Sequence, residues 1–442
     1  MGEVKRKISS SQIIILGFAG LILFGSLLLM LPVCTASGEG AGFLEALFTA
    51  TSAACVTGLI VQDTATYWSA AGQFVIISLI QIGGLGIVTV AILVEILSGR
   101  KIGLKERSTM QDAISAHRVG GIVKLTGFIL KTTLVFETLG AVLMAPAFCR
   151  EFGFWKGIWY GIFHSVSAFC NAGFDLMGVK TQFSSLTYFV DHPIINLTIM
   201  GLIICGGLGF MTWEDVLKHH IHWRKYRMQS KVIIKTTLCL IALPSLYFFL
   251  FEYGQLPFMG RIFRSLFQAV TPRTAGFNTT DISLFSETGI AVVIILMLIG
   301  GSPGSTAGGM KTTTIAVMAA TSVSVFRKRG ETHFYGRRIE PEIIRSAVAV
   351  FMMYLSFCLF GGFVISTMEG LPLLTCLYET ASAVGTVGLT LGVTPQLGMA
   401  SKIILIFLMY AGRVGGLTLI FAAMSGKREV AAKFPKEKLT VG

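Results

Sequence analysis

Six apolar runs dominate this 442-residue chain: Ile13–Leu31, Phe74–Leu97, Ile233–Phe251, Ile290–Ile299, Ala347–Ile365 and Ile403–Phe421. Several reach the roughly 20 residues that a helix needs to cross hydrocarbon. Inside a bilayer no water satisfies the backbone, so such runs are read as helices. Composition agrees, with 53% hydrophobic and 13% charged residues and a mean hydropathy of +0.74. A soluble domain carries about a quarter charged residues. The class is all-α integral membrane, and a large soluble core is excluded.

The net charge of +13 is explained by its placement. Of the 36 Lys and Arg, 25 fall in five stretches between apolar runs: 5–7, 100–124, 218–231, 327–345 and 427–438. The intervening connections hold few, such as Arg150, Lys156, Lys180 and Arg261. Alternating basic and non-basic loops predict that both termini of a multi-pass membrane protein lie in the cytoplasm. Anionic membrane lipid is an expected partner of the basic loops, and nucleic acid is not. The eight cysteines lack CxxC spacing and lie mostly in apolar segments, which predicts small buried thiols without disulfide or metal. The N-terminal run reads as a retained first helix.

Internal similarity organises the runs. Thr51–Leu59 (TSAACVTGL), Ser165–Phe174 (SVSAFCNAGF), Gln268–Phe277 (QAVTPRTAGF) and Thr380–Leu389 (TASAVGTVGL) resemble one another. Their shared glycines, Gly58, Gly173, Gly276 and Gly388, lie 115, 103 and 112 residues apart. Such recurrence marks a repeat architecture. Each segment follows or overlaps a short amphiphilic stretch, namely Phe43–Thr51, Trp155–Ser167, Phe258–Val270 or Leu371–Ser382. These are too short to span and fit re-entrant half-helices.

Longer helices flank each half-helix: Gln12–Leu31 and Gln73–Leu97, Ile122–Ala147 and Pro193–Val216, Val232–Phe251 and Ile290–Val325, and Ile344–Ile365 and Ile403–Met424. The expectation is eight spanning helices in four tandem helix–pore-half-helix–helix repeats, at residues 1–98, 99–226, 227–330 and 331–426. A cytoplasmic tail would follow at 427–442. Glycine pairs recur in the last helix of each repeat, at Gly83-Gly84, Gly206-Gly207, Gly300-Gly301 and Gly415-Gly416. They read either as small-residue packing or as a shared close approach to the half-helices.

The loops suggest ion chemistry. A dehydrated cation needs its water shell replaced, which converging backbone carbonyls do in a pore. Glycine permits the backbone angles that such loops require, and a half-helix whose C-terminal end faces the pore adds partial negative charge. The candidate filter triplets are Val56-Thr57-Gly58, Asn171-Ala172-Gly173, Thr274-Ala275-Gly276 and Thr386-Val387-Gly388. The last reads Thr-Val-Gly, as in the filter of potassium channels. One such triplet is uninformative, whereas four at near-equal spacing, each after a re-entrant stretch, are a strong sign of a ring of cation-binding carbonyls. The competing reading makes the loops tight turns of a transporter for another cation or small solute.

Taken together, these repeats and triplets resemble the Trk/Ktr/HKT superfamily of cation transporters, over nearly the whole chain. Within it the similarity is greatest to the membrane subunits of bacterial Ktr systems, since the additional N-terminal helices of the Trk branch are not seen. The resemblance implies a pseudo-fourfold, K+-channel-like pore with K+ held by those carbonyls. It implies selective K+ uptake, with Na+ as a candidate coupling ion, and a homodimer. It also implies a cytoplasmic regulatory subunit of the KtrA type, through which alone a nucleotide would act. In plant relatives a serine at the first filter glycine accompanies Na+ permeation; here that position is Gly58.

The last helix of the third repeat is interrupted by Gly300, Gly301, Ser302, Pro303, Gly304, Ser305, Thr306, Ala307, Gly308, Gly309, Met310 and Lys311, followed by Thr312, Thr313 and Thr314. Glycine and proline at this density break a helix. This is either a kink or, as the resemblance implies, an intramembrane gate loop at 300–314 in which Lys311 repels cations. Arg413 falls within the last apolar run, where Gln81, Ile204 and Leu298 take the corresponding places of the other repeats. A mid-membrane arginine costs at least about 2.5–3.5 kcal/mol and so faces a pore or a partner. It either ties down carbonyls or Glu379, or forms the barrier below the filter that the resemblance implies.

Beside the filter segments, His164 reads as a hydrogen-bonded half-helix residue and Asp175 as an attractor of cations at the outer mouth. An enzyme is not expected, because HExxH and GxGD motifs and an evident pair of intramembrane carboxylates are missing. A solute carrier with a midplane pocket fits less well than one axial path flanked by four equal loops.

Overall fold

Four helical units follow one another in a computed structural model that describes residues 9–98, 109, 122–415 and 418. The first unit comprises α1 (Ser10–Leu29), α2 (Phe43–Ala54), α3 (Ala70–Leu85) and α4 (Ile87–Leu97). The second holds α5 (Ile122–Phe152), α6 (Phe154–Phe169), α7 (Pro193–Gly207) and α8 (Phe210–His219). In the third are α9 (Met228–Tyr247), α10 (Phe258–Val270), α11 (Glu287–Leu298) and α12 (Thr312–Phe326). A short antiparallel hairpin, β1 (His333–Phe334) and β2 (Arg337–Arg338), precedes the fourth unit. That unit contains α13 (Pro341–Glu369), α14 (Leu373–Gly385) and α15 (Met399–Val414). Apart from residue 109, the basic connection at 100–121 lies outside the described residues, as do the tail at 427–442 and Gly416.

Local chemistry sets the helix starts. The Ser9 hydroxyl accepts from the Gln12 amide while the Gln12 side chain accepts from the Ser9 amide, a reciprocal cap for α1. Ser69 and Ser286 cap α3 and α11, and Pro193 and Pro341 open α7 and α13, where a missing N–H costs nothing.

The first helix of every unit is long and apolar enough to cross a bilayer: Ser10–Leu29, Val123–Phe152, Met228–Glu252 and Pro341–Glu369. Only 22–28% of their most apolar windows is buried within the protein. Side chains such as Leu16, Phe24 and Leu27 are each 62% exposed. An outward apolar surface of that extent is matched by lipid rather than water. The chain is therefore an all-α, multi-pass membrane protein.

The last helices of the first, second and fourth units depart from expectation. Continuous helices at Gln73–Leu97, Pro193–Val216, Ile290–Val325 and Ile403–Met424 were expected, with a break in the third alone. Instead α3 and α4 meet at 93° and α7 and α8 at 99°. Residues 299–311 separate α11 from α12, and α15 stops at Val414. The cause is backbone geometry: Gly86, Gly209 and Gly415 take φ of 84°, 89° and 87°, outside any right-handed helix and open to glycine.

The half-helices α2, α6, α10 and α14 form the centre. Ala46, Phe48 and Ala50–Ala54 of α2 and Tyr378–Gly385 of α14 are buried. Aromatic and aliphatic side chains of the outer helices pack around them in two apolar clusters. All eight cysteines are free thiols.

Candidate functional site

The four half-helices end at the four triplets. The first triplet residues Val56, Asn171, Thr274 and Thr386 have φ of 52°, 57°, 63° and 51°. The third residues, Gly58, Gly173, Gly276 and Gly388, have φ of 90°, 71°, 79° and 93°. A left-handed non-glycine residue is uncommon and held by its surroundings. Four copies at equivalent positions, all buried, mark one shared conformation.

These loops close into a ring. A Cβ placed on Gly58 would strike the Ala172 carbonyl oxygen, and one on Gly173 would lie 2.6 Å from the Ala275 oxygen. From Gly276 it would strike the Val387 oxygen, and from Gly388 the Thr57 oxygen. Distances to the Cα of the next glycine in the cycle would be 3.1, 3.0, 3.2 and 2.9 Å. The second and third residues of the four predicted triplets, Thr57, Gly58, Ala172, Gly173, Ala275, Gly276, Val387 and Gly388, thus meet around one ring, and Val56, Asn171, Thr274 and Thr386 lead into it. Backbone oxygens of neutral residues so arranged can replace the hydration shell of a cation.

Anchoring repeats in three units. The amides of Thr57, Ala172 and Val387 each donate over 2.8 Å to the carbonyls of Ser52, Ser167 and Ser382. The Ser52 and Ser382 hydroxyls also accept from the Gly58 and Gly388 amides at 3.0 Å. Val270 replaces the serine in the third unit, where the Ala275 amide donates to the Thr271 carbonyl at 3.0 Å.

All four glycines floor an outer vestibule of about 1060 Å³, lined also by Asp175, Glu252 and Asp281. Asp175 accepts from the Met177 amide at 2.9 Å; burial raises its carboxyl to about 7, and the Asp63 carboxylate adds to the shift. Asp63 joins two loops of the rim, accepting from the Ala65, Thr66 and Phe183 amides at 3.0 Å. His164 bonds the Tyr160 carbonyl through Nδ1 at 2.7 Å and accepts from the Leu176 amide at 3.3 Å through Nε2. Glu379 accepts from Thr390 at 2.7 Å, the Leu391 amide at 2.9 Å and Thr394 at 2.5 Å. Both side chains pin a half-helix to its following loop.

Below the ring, residues 300–311 fold into a compact loop against the second and fourth units. The Gly300 amide donates to the Met310 carbonyl at 2.7 Å. Lys311 Nζ donates to the Ala307 carbonyl at 2.8 Å and to that of Gly308 at 3.4 Å. The amides of Ser302 and Thr306 donate to the Gly207 and Gly206 carbonyls, and the Gly309 amide to that of Gly412. A Cβ on Gly308 would collide with the Thr386 side chain, so the loop touches the filter from beneath. An inner cavity of about 330 Å³ lies here, bordered by Gly84, Lys311, Tyr354 and Arg413.

The guanidinium of Arg413 donates to the carbonyls of Thr306, Gly83 and Gly84. It does not bond Glu379, contrary to one expectation. The expected register also changes. Cβ atoms on Gly83, Gly206 and Gly412 would strike the carbonyls of Ala54, Phe169 and Val384, each four residues before a filter glycine. Gly412, not Gly415, therefore matches Gly83 and Gly206, and Arg413 stands level with Gly84 and Gly207 rather than with Gln81, Ile204 and Leu298.

These breaks leave helix-end carbonyls without intrahelical donors. Arg413 satisfies those of the first unit, and the Ser302 and Thr306 amides those of the second. The Gly309 amide and the Tyr354 hydroxyl, the latter at 3.1 Å, satisfy Gly412.

Sequence reasoning missed two residues. Arg273 is buried beside the third triplet, and its guanidinium donates to Thr237 at 3.3 Å; it lies at the C-terminal end of α10, where a cation offsets the helix dipole. Glu137, midway along α5, accepts from Gln81 at 3.4 Å and from the Cys170 thiol at 3.8 Å. Both carried a signal, since an ionisable residue within a membrane segment is costly.

The chain resembles known proteins along its length. The family described as cation transport protein, TrkH, matches residues 11–429. The potassium/sodium uptake protein NtpJ of Enterococcus hirae is 40% identical, covering 100% of this chain and 99% of that one. The Ktr system potassium uptake protein B of Bacillus subtilis is 39% identical, covering 93% of this chain and 92% of the relative. The crystal structure of the potassium transporter TrkH from Vibrio parahaemolyticus superposes with a TM-score of 0.72, at 21% identity over 96% of this chain and 87% of that chain.

Proposed function

From the premise that the chain belongs to the TrkH cation transport family, we propose that it takes up K+ across the membrane through the ring of four loops, gated by the loop at 300–314. It is a transporter and not an enzyme. The observation that carries the filter assignment is the closed cycle in which every filter glycine abuts a carbonyl of the next unit. On this reading the Thr57, Ala172, Ala275 and Val387 carbonyls help coordinate the dehydrated ion, and the four half-helix ends favour positive charge. Arg413 and the loop at 300–314 oppose it below.

The repeats are assigned to residues 1–98, 99–226, 227–330 and 331–426, with a tail at 427–442. Basic loops orient both termini toward the cytoplasm of a bacterial cell membrane. The likeness to Ktr system proteins supports a multi-component system, and we assign this chain a cytoplasmic nucleotide-binding regulator and a second copy of itself. The NtpJ relative is named for potassium and sodium, which supports Na+ as a coupling ion.

The test is Rb+ uptake by cells lacking their own K+ uptake, with the regulator co-expressed. Saturable Rb+ uptake that K+ competes for and Na+ does not is expected. Membrane-inserted protein with its regulator and no uptake overturns the reading.

A further inference from the structure

We propose that the side chain of Asn171 is a specificity-determining residue, because it ties the position of the gate loop to the geometry of the filter. This rests on the reading of the four loops as a filter and of residues 300–314 as a gate. Asn171 opens the second triplet, fully buried at a φ of 57°. Its Nδ2 donates to the Arg273 carbonyl at 3.2 Å, one residue before the third triplet, and lies 3.5 Å from the Ile203 carbonyl of α7. Its Oδ1 accepts from the Thr306 hydroxyl at 3.2 Å. The single proton of that hydroxyl is shared with the Phe169 carbonyl, which lies 2.9 Å away, and the Thr306 carbonyl accepts from Arg413. One amide thus meets the gate loop at one end and a neighbouring filter strand at the other.

The other units lack an equivalent. Val56 offers no polar atom, and the hydroxyls of Thr274 and Thr386 have no hydrogen-bond partner. An amide is planar, with acceptor and donors fixed relative to one another, so its two ends move together. When the gate loop withdraws Thr306, Oδ1 is left buried without a donor, and such an acceptor is costly. Rotating the amide to relieve it removes Nδ2 from the Arg273 carbonyl. The third strand is held locally by Thr271, which accepts from the Ala275 amide and donates to the Phe277 carbonyl, and the Asn171 amide adds a bond from the neighbouring unit. Coupling is reciprocal: an ion that holds the strands in place also favours a seated loop.

The experiment measures K+/Na+ discrimination from Rb+ uptake under Na+ competition, with the regulator present. Thr306→Val removes the hydroxyl from the gate loop without touching the filter backbone. It is expected to lower discrimination about fivefold, whereas Thr306→Ser, which keeps the hydroxyl, leaves it unchanged. Asn171→Leu is expected to show a similar loss, and the double variant no further loss, the mark of a shared interaction. Should Asn171→Leu not insert, Asn171→Asp, which keeps an acceptor but not the amide donors, replaces it with the same expectation.

A Thr306→Val protein with altered flux and intact discrimination overturns the proposal. So do losses that multiply in the double variant. Wild-type protein that does not prefer K+ would instead defeat the filter reading itself.

Discussion

At the level of the proposed filter the four units are near copies; at the level of the proposed gate no two are alike. Above, each contributes a half-helix end, a left-handed first residue and a glycine whose missing Cβ leaves room for the next unit's carbonyl. Below, equivalent helix breaks are satisfied by an arginine in the first unit, by loop amides in the second and by an amide and a tyrosine in the fourth. An ion held on an axis meets four contributors at once, so a change in one distorts the shared site. The breaks require only that their carbonyls be bonded, and different groups can do that. Symmetry is retained where coordination demands it and abandoned where control does.

The comparison yields separable outcomes. The largest effect is expected from Gly58→Ser, whose Cβ would strike Ala172 at a φ only glycine holds easily. K+/Na+ discrimination should fall at least about tenfold, or about 1.4 kcal/mol, in Rb+ uptake against Na+. Unchanged discrimination would break the division between the two levels.

Next comes Arg413→Gln, which removes a fixed charge beneath the ring. Flux should rise on the order of tenfold, as expected for a unit charge near an ion path at intermediate effective dielectric, with discrimination within about twofold of wild type. Loss of discrimination here would mean that Arg413, through the Thr306 carbonyl, is needed to hold Thr306 against Asn171. Gly308→Ala crowds Thr386 and should unseat the loop. Overpacking of about 1–3 kcal/mol predicts a rise in uptake of a few-fold, together with a loss of discrimination like that of Thr306→Val, because an unseated loop takes Thr306 away from Asn171.

The smallest effect concerns the vestibule. Because the Asp175 carboxyl titrates at about 7, it is mostly charged at pH 8 and mostly neutral at pH 6. The K+ concentration for half-maximal uptake should therefore rise about twofold as pH falls across that range, through lost attraction for cations. In Asp175→Asn the profile should be flat.

Legibility in the sequence followed the same division. The half-helices and triplets were readable because four copies at similar spacing repeat the residue types that their backbone requires. The last helices were misread because Gly86, Gly209 and Gly415 break the chain through φ values that composition does not reveal. Arg413 was set in the wrong register because the pair Gly415-Gly416 mimics Gly83-Gly84, while the steric match is Gly412. Arg273 carries no repeat signal, since the residue before the triplet is Cys55, Cys170 and Gly385 in the other units. The many-sided contacts of the gate loop join residues more than a hundred positions apart, which no local pattern encodes.

The cyclic contact of the filter glycines has a consequence for how such a pore can change. In a pore of four identical subunits, every substitution arrives in quadruplicate, and the smallest available step is a fourfold one. Here the ring is written once along a single chain, so each position can be altered alone. A quarter of the coordination shell can be retuned while three quarters hold the ion, and ion preference can drift in small increments rather than jumps.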